Sequence, residues 1–555
     1  MSTPAAPEPV LVARDRGVTA SASPSAPLGR LFGFAIVGFS LICGSVSLIY
    51  PFGRDQGAYA YAGWVMLEGG APYRDVFVFK PPMTAVVHAL SIGLFGVNTW
   101  AIRALDLGWT AATALVVAAI ALELWQRRDV ALAAGLVCPL LYYQIDYWTL
   151  AQTDGWMTLP CAAAIWAVLR GGRALSQSTR RAVAWWTIAG TLAGVAVLFK
   201  YTAATIGLPM LAALGWTATT YGRRAWFGLP AIVGGGALAL GACALWLMAI
   251  GAWPAFVDTQ LDLIPSYVDR RSDDGAATTA LARLVTLRRT KLDLIPLFWA
   301  APLALAPAIL FARGRGRPAW LGLGVALVWW FVALGNVVTQ GKFFDYHYLP
   351  VLAPASLIAG LGFGVGLHRL LLQLPNRKLR GLSVVAVLAV LITVTPIGGR
   401  FRELGRVTIG RQTIEQYIAS RREYSFPAYN VGEIRRVAKL LQDTTTPDQR
   451  VFLWGYEPTI NVRAQRHTVS RFLYNFPLRV SWGDPAYERE LMNALRARPP
   501  DVIVVSSGDR FPGLTKTYKD SAALLVDFAE LDSFVRERYE RAETLGRYTL
   551  WRLGT

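Results

Sequence analysis

Acidic side chains are scarce in this chain: 36 Asp and Glu stand against 55 Lys and Arg in 555 residues, and only 16% of the sequence is charged. So little charge beside 54% hydrophobic residues excludes an ordinary soluble protein, because the apolar residues gather in runs long enough to cross a bilayer. Cysteine is nearly missing. Cys43, Cys138, Cys161 and Cys243 all fall in apolar runs without metal-ligand spacing, so neither a disulfide framework nor a zinc site is indicated. Also lacking are a Gly-rich phosphate loop, a paired-Cys motif, a His-x-x-x-His pattern and a Gly-x-Ser-x-Gly elbow, which argues against nucleotide-driven pumps and soluble-type hydrolases. No apolar core occupies residues 1–30, which are rich in Ala, Pro and Ser and read as a disordered cytoplasmic tail rather than a cleavable signal.

What is present is a succession of apolar segments. A spanning helix needs about 20 such residues, and candidates occur near 31–51, 99–125, 129–145, 156–170, 182–199, 201–220, 226–250, 292–312, 318–338, 349–370 and 381–397, about eleven in all. One set of connections, including "QRRD", "YGRRAW" and "ARGRGRPAW", is short, Arg-rich and nearly free of acids. The positive-inside rule puts that set in the cytoplasm, and the net charge of +19 is explained by topology rather than by nucleic acid. The opposite set is then external and collects acids, aromatics and single cations. "PPMTAVVHALSIGLFGV" (81–97) is too short to span and reads as re-entrant or interfacial. The fold expected is an α-helical polytopic membrane protein.

After residue 397 the pattern becomes that of a soluble α/β domain over 398–555, expected on the extracytoplasmic face. "RVFLWG", "DVIVVS" and "RYTLWRL" read as strands, "VGEIRRVAKLLQD" and "SAALLVDFAELDSFVRERYERA" as helices. Its basic surroundings of Arg463, Arg466, His467 and Arg471 read as ordinary surface.

The first external loop, residues 52–98, is the most informative stretch. "RDQGAYAYAGWVMLEGGAPYRDVFVFKPPM" puts Arg54, Asp55, Asp75 and Lys80 beside the bilayer, and Tyr59, Tyr61, Trp64, Val65 and Leu67 fit an amphipathic helix lying on the outer surface. A carboxylate there can deprotonate a hydroxyl, and a cation stiffened by the Pro81–Pro82 pair can stabilise a departing phosphate. Anchoring at headgroup level would use the same residue types. The order of residues separates the two. Asp55, Lys80, Pro81, Pro82, Phe95, Gly96 and Arg103 follow a pattern that resembles the first external loop of the GT-C superfamily of membrane glycosyltransferases, in the branch of protein O-mannosyltransferases and the lipid A aminoarabinose transferase.

That resemblance implies an enzyme that moves a sugar, with inversion, from a polyprenyl-phosphate donor to a lipid, glycan or protein hydroxyl on the external face of a bacterial inner membrane. It implies Asp55 as general base and Lys80 on the donor phosphate. Relatives often carry Glu after the loop Asp; here Gln56 stands there, so no metal site or other cofactor is assigned, although a divalent metal is not excluded. Asp154 matches an acid of the second external loop and is a second candidate catalytic residue, with helix capping as the alternative; Asp146 lies in the same loop. Lys200, Lys342, Tyr346 and His347 are further candidates for donor phosphate or sugar, with Arg54. Arg270 and Arg271 lie in a long loop, 251–291, that reads either as a lid or as a helix on anionic lipid. Two other classes stay open at this point: a secondary transporter or flippase, whose internal repeats are not found, and an oligosaccharide or O-antigen ligase, which would move a whole glycan.

Overall fold

The computed structural model describes residues 26–265, 295–426, 428–480, 483–515 and 517–554. Arg270 and Arg271, and most of the loop 251–291, lie outside them.

A helix occupies each of the eleven apolar segments, and the bundle is membrane-embedded and multi-pass. Among the described residues six helices are both long and apolar enough to cross a membrane, or seven if the bent pair Lys378–Val394 and Pro396–Thr408 is one span. Several of the others, such as Thr158–Leu175 and Thr179–Val197, are shorter or carry polar ends. They pack on one another through small residues: a Cβ on Gly190 would sit 1.8 Å from the Ile232 carbonyl, so only glycine permits that approach of two helices. The 81–97 segment folds as one short apolar helix, Met83–Phe95, with Lys80 and the two prolines at its entry.

The C-terminal region contains a two-stranded ribbon, β1 (Ser425–Phe426) and β2 (Tyr429–Asn430), and a four-stranded sheet. The sheet consists of β3 (Val451–Trp454), β4 (Val502–Ser506), β5 (Tyr539–Leu545) and β6 (Tyr548–Leu553), in the order β3-β4-β6-β5. β3 and β4 are parallel and fully buried, which is why both read as continuous apolar runs. One expectation fails here. The helix expected through "RYERA" stops at Arg538, and Tyr539–Leu545 instead forms an edge strand paired with β6. Five consecutive residues of that strand, Glu540 to Thr544, are exposed and mostly charged or polar, so it carries none of the apolar alternation by which a strand is recognised.

The soluble domain does not stand off from the membrane bundle. It sits on the first loop, and that contact builds the site.

Candidate active site

The loop helix runs from Arg54 to Leu67, with Asp55 in its first turn, where the helix dipole favours a carboxylate. Its start is fixed by Gln56. That side chain is fully buried; its oxygen accepts from the Gly53 N–H at 2.6 Å and from Arg103 Nη2 at 3.1 Å, and its nitrogen donates to the Leu150 carbonyl at 2.6 Å. A glutamate could not make the last bond. The departure at this position is therefore part of the scaffold. Arg103, with no exposed surface, serves the same framework, donating also to the Pro51, Tyr147 and Leu150 carbonyls.

The loop helix, expected to lie on the outer surface, is covered by protein. Tyr59 and Tyr61 are 6% and 2% exposed, because the helix is sandwiched beneath the soluble domain. A Cβ on Gly57 would meet Thr459 Oγ1 at 2.1 Å and the Thr459 backbone nitrogen at 2.9 Å, so glycine alone allows this approach. The Thr468 N–H donates to Tyr61 Oη at 2.9 Å, and His467 stacks on Trp64 at 3.9 Å while bonding Glu68 at 2.7 Å. Burial holds the His467 imidazole below its ordinary pKa, against the pull of Glu68. The reading of the neighbouring arginines as ordinary surface fails: Arg466 is buried and donates to Thr445, and Arg471 bridges Glu490, Asp258 and the Tyr73 carbonyl.

Arg54 crosses this junction. Its Nε donates to Glu457 Oε1 at 2.8 Å and its Nη2 reaches the same oxygen, while the guanidinium lies 5.0 Å from the Phe511 ring, 5.4 Å from Tyr456 and 5.7 Å from Tyr429. Burial pushes the Glu457 carboxyl up to about 7 although Arg54 pulls it down. Arg54 thus has a carboxylate of its own, which a phosphate ligand would have to displace.

Two cavities adjoin at Lys80. The first, of about 190 Å³, is lined by Arg54, Asp55, Tyr59 and Lys80 on one side and by Tyr456, Tyr474, Phe476 and Phe511 of the soluble domain on the other. The second, of about 330 Å³, holds Lys80, Lys200, Lys342, Tyr346 and His347. Lys80, Phe79, Phe344 and Tyr346 belong to both walls.

Asp55 is half-buried. Burial raises its pKa, while Lys80, Arg54 and a hydrogen bond with Gln152 restrain the rise. The Lys80 backbone is pinned by Tyr73 Oη, which donates to its carbonyl at 2.7 Å. The Lys80 ammonium lies 5.9 Å from the Tyr346 ring, and Lys200 approaches the same ring at 5.8 Å. Burial lowers Lys342 to about 7 and Lys200 to about 8, in the second case despite Asp154.

Asp154 lines neither cavity. It is fully buried and accepts from Lys200 Nζ at 2.7 and 2.9 Å, with Gln340 Oε1 also bonding that ammonium at 2.6 Å. Asp75 pairs with exposed Arg74 and accepts from the Ala71 N–H at 2.7 Å, capping a turn outside both cavities. Asp146 caps the Trp148 and Thr149 N–H groups at 2.8 and 3.0 Å. The residues that sequence reasoning missed are Glu457 and the aromatic wall of the soluble domain, which no local motif marks.

Residues 79–248 match the family described as dolichyl-phosphate-mannose-protein mannosyltransferase. Over 170 residues, 29% of this chain, the sequence is 28% identical to the undecaprenyl phosphate-α-4-amino-4-deoxy-L-arabinose arabinosyl transferase of Enterobacter sp. (strain 638). The match spans 30% of that relative's length. The fold as a whole is similar to that of ArnT from Cupriavidus metallidurans bound to undecaprenyl phosphate, with a TM-score of 0.59 at 16% identity, covering 95% of this chain and 98% of that one. The apo state of the same protein gives 0.57 at 16% identity, with the same coverage. The chain thus shares the fold of ArnT over nearly its whole length.

Proposed function

We infer that this protein transfers a sugar from a polyprenyl-phosphate carrier to a hydroxyl of a lipid, glycan or protein acceptor on the extracytoplasmic face of the membrane. The observation that carries the reading is the pair of adjoining cavities that share Lys80, one holding a carboxylate and the other three lysines. In the step inferred, the acceptor oxygen attacks the anomeric carbon while Asp55 takes its proton. The bond from that carbon to the phosphate oxygen breaks, the electron pair leaves with the polyprenyl phosphate, and configuration inverts. Lys80 faces the departing oxygen from the boundary of the two cavities, and Lys200 and Lys342 neutralise the phosphate behind it. Asp154 acts by holding Lys200 charged and in place, and Arg54 by tying the loop helix to the soluble domain. The raised pKa of Asp55 supports its role, because a stronger base accepts the hydroxyl proton more readily.

The test is transfer of radiolabelled sugar from undecaprenyl phosphate donors to envelope acceptors by the purified protein. Asp55→Asn is expected to lower the rate on the order of 10²–10⁴-fold with donor binding retained. Lys80→Ala is expected to raise the donor KM. Equal transfer by wild type and Asp55→Asn would remove Asp55 from the role of base. Cysteines introduced near Asp55 and Tyr346 are expected to label from the same, external side; labelling from opposite sides would end the reading of one external site.

A further inference from the structure

The soluble domain carries a hydroxyl that the described residues leave unsatisfied. Tyr456, 4% exposed, lines the cavity of Asp55, and its Oη has no hydrogen-bond partner among the described residues. A buried hydroxyl without a partner is costly, and native structures rarely keep one unless something else fills the gap. The ring is held firmly: the Arg479 guanidinium lies 4.4 Å from its centroid and that of Arg54 5.4 Å, while Phe511 and Phe476 stand 5.6 and 6.3 Å away. Arg479 is itself fixed by Asp509, Ser521 and the Lys519 carbonyl, so the phenol cannot easily turn aside. Burial pushes the phenol up to about 12, which keeps it protonated and able to donate.

The cavity that Tyr456 lines is walled by aromatic rings: Tyr474, Phe476 and Phe511 from the soluble domain, with Tyr59 and Trp148 from the loops. A sugar ring presents C–H faces that pack on aromatic rings and hydroxyls that must be matched by polar partners. We propose that Tyr456 is a specificity-determining residue that donates a hydrogen bond to a hydroxyl of the transferred sugar, with the soluble domain's aromatic wall packing against the ring. This deepens the transfer reading and rests on it. It gives the soluble domain a direct part in choosing the sugar, while the lysine cavity reads only the phosphate and is indifferent to what the phosphate carries.

The experiment uses the full-length protein in nanodiscs and measures binding of bare undecaprenyl phosphate and of undecaprenyl phosphate carrying mannose, glucose, arabinose or 4-amino-4-deoxyarabinose. Wild type, Tyr456→Phe and Phe511→Ala are compared. For the sugar that wild type prefers, Tyr456→Phe is expected to weaken binding of the loaded carrier about 2- to 10-fold, the effect of losing one neutral hydrogen bond, with bare carrier unchanged. Phe511→Ala is expected to weaken loaded carriers in the same selective way, through lost packing. Equal weakening of bare and loaded carriers would overturn the proposal, since the hydroxyl would then be supporting the fold or the lysines. Unchanged binding of every loaded carrier by both variants would overturn it as well. A wild type that binds neither bare nor loaded carrier would instead overturn the transfer reading, a failure visible before any variant is compared.

Discussion

Cutting the Arg54–Glu457 pair should release the soluble domain from the loop helix. Glu457 is 1% exposed, and one of its oxygens takes both Arg54 donors. Arg54→Met keeps the side-chain bulk and strands the carboxylate in the interior. Breaking a buried pair from one side costs about 3–5 kcal/mol, which is on the order of a 10²- to 4 × 10³-fold rise in the open population, given about 1.4 kcal/mol per tenfold. The penalty depends on pH. With a folded pKa near 7 against 4.5 in the unfolded chain, Glu457 contributes stability that is full below 4.5 and lost as pH rises through 7. That rise corresponds to on the order of 3 kcal/mol. Without Arg54 the folded carboxyl is pushed higher still, so keeping it protonated costs the variant less at pH 6 than at pH 8. Hydrogen exchange of the amides in Val431–Thr444 and Thr459–Ala464 reads the opening. Arg54→Met should lose protection more at pH 8 than at pH 6, and the double variant Arg54→Met/Glu457→Met should recover most of it. Additive losses in the double variant, or a pH-independent loss, would refute the coupling.

Three further outcomes follow from the same geometry. Lys342 and Lys200, lowered to about 7 and 8, are mostly charged at pH 6.5 and mostly neutral at pH 8.5, so affinity for a polyprenyl phosphodiester should fall across that interval. Binding should take up protons, seen as a calorimetric enthalpy that varies with the buffer, and a buffer-independent enthalpy would exclude it. Asp154→Asn should raise the donor KM more than it lowers kcat, because it unpairs Lys200 without touching Asp55; a pure kcat loss would point to a catalytic carboxylate instead. Gly57→Ala should loosen the soluble domain, seen as faster exchange in Thr459–Ala464. Adding Thr459→Ala should restore only part of the protection, since the backbone nitrogen remains 2.9 Å from the new Cβ; full restoration would show that the side chain alone is the obstacle.

The fold class was legible because hydrophobic runs and arginine-rich turns are one-dimensional signals, and each apolar segment is a helix in the structure. The edge strand Tyr539–Leu545 was not, because an exposed strand has no apolar face to alternate. Asp55 and Lys80 could be read from one short motif and line one cavity. Asp154 and Lys200 each stood out as lone charges, but their pairing is a tertiary fact that spacing does not encode. Glu457 lies 403 residues from Arg54, and nothing local distinguishes a carboxylate awaiting such a partner from a solvated one. The aromatic wall is hidden for a related reason: aromatics are common in the buried parts of any α/β domain, and only their placement opposite Asp55 sets these apart.

The absence of clearance at Gly57 bears on how such proteins can diversify or be re-engineered. Because helix and soluble domain meet backbone to backbone there, the two surfaces form a matched pair, like two halves of a casting. A chimera that takes residues 431–554 from a relative while keeping residues 54–67 would join halves cut from different moulds. Exchange of residues 431–554 is therefore expected to succeed only when the short loop helix travels with them, although nearly the whole transmembrane bundle lies between the two in sequence.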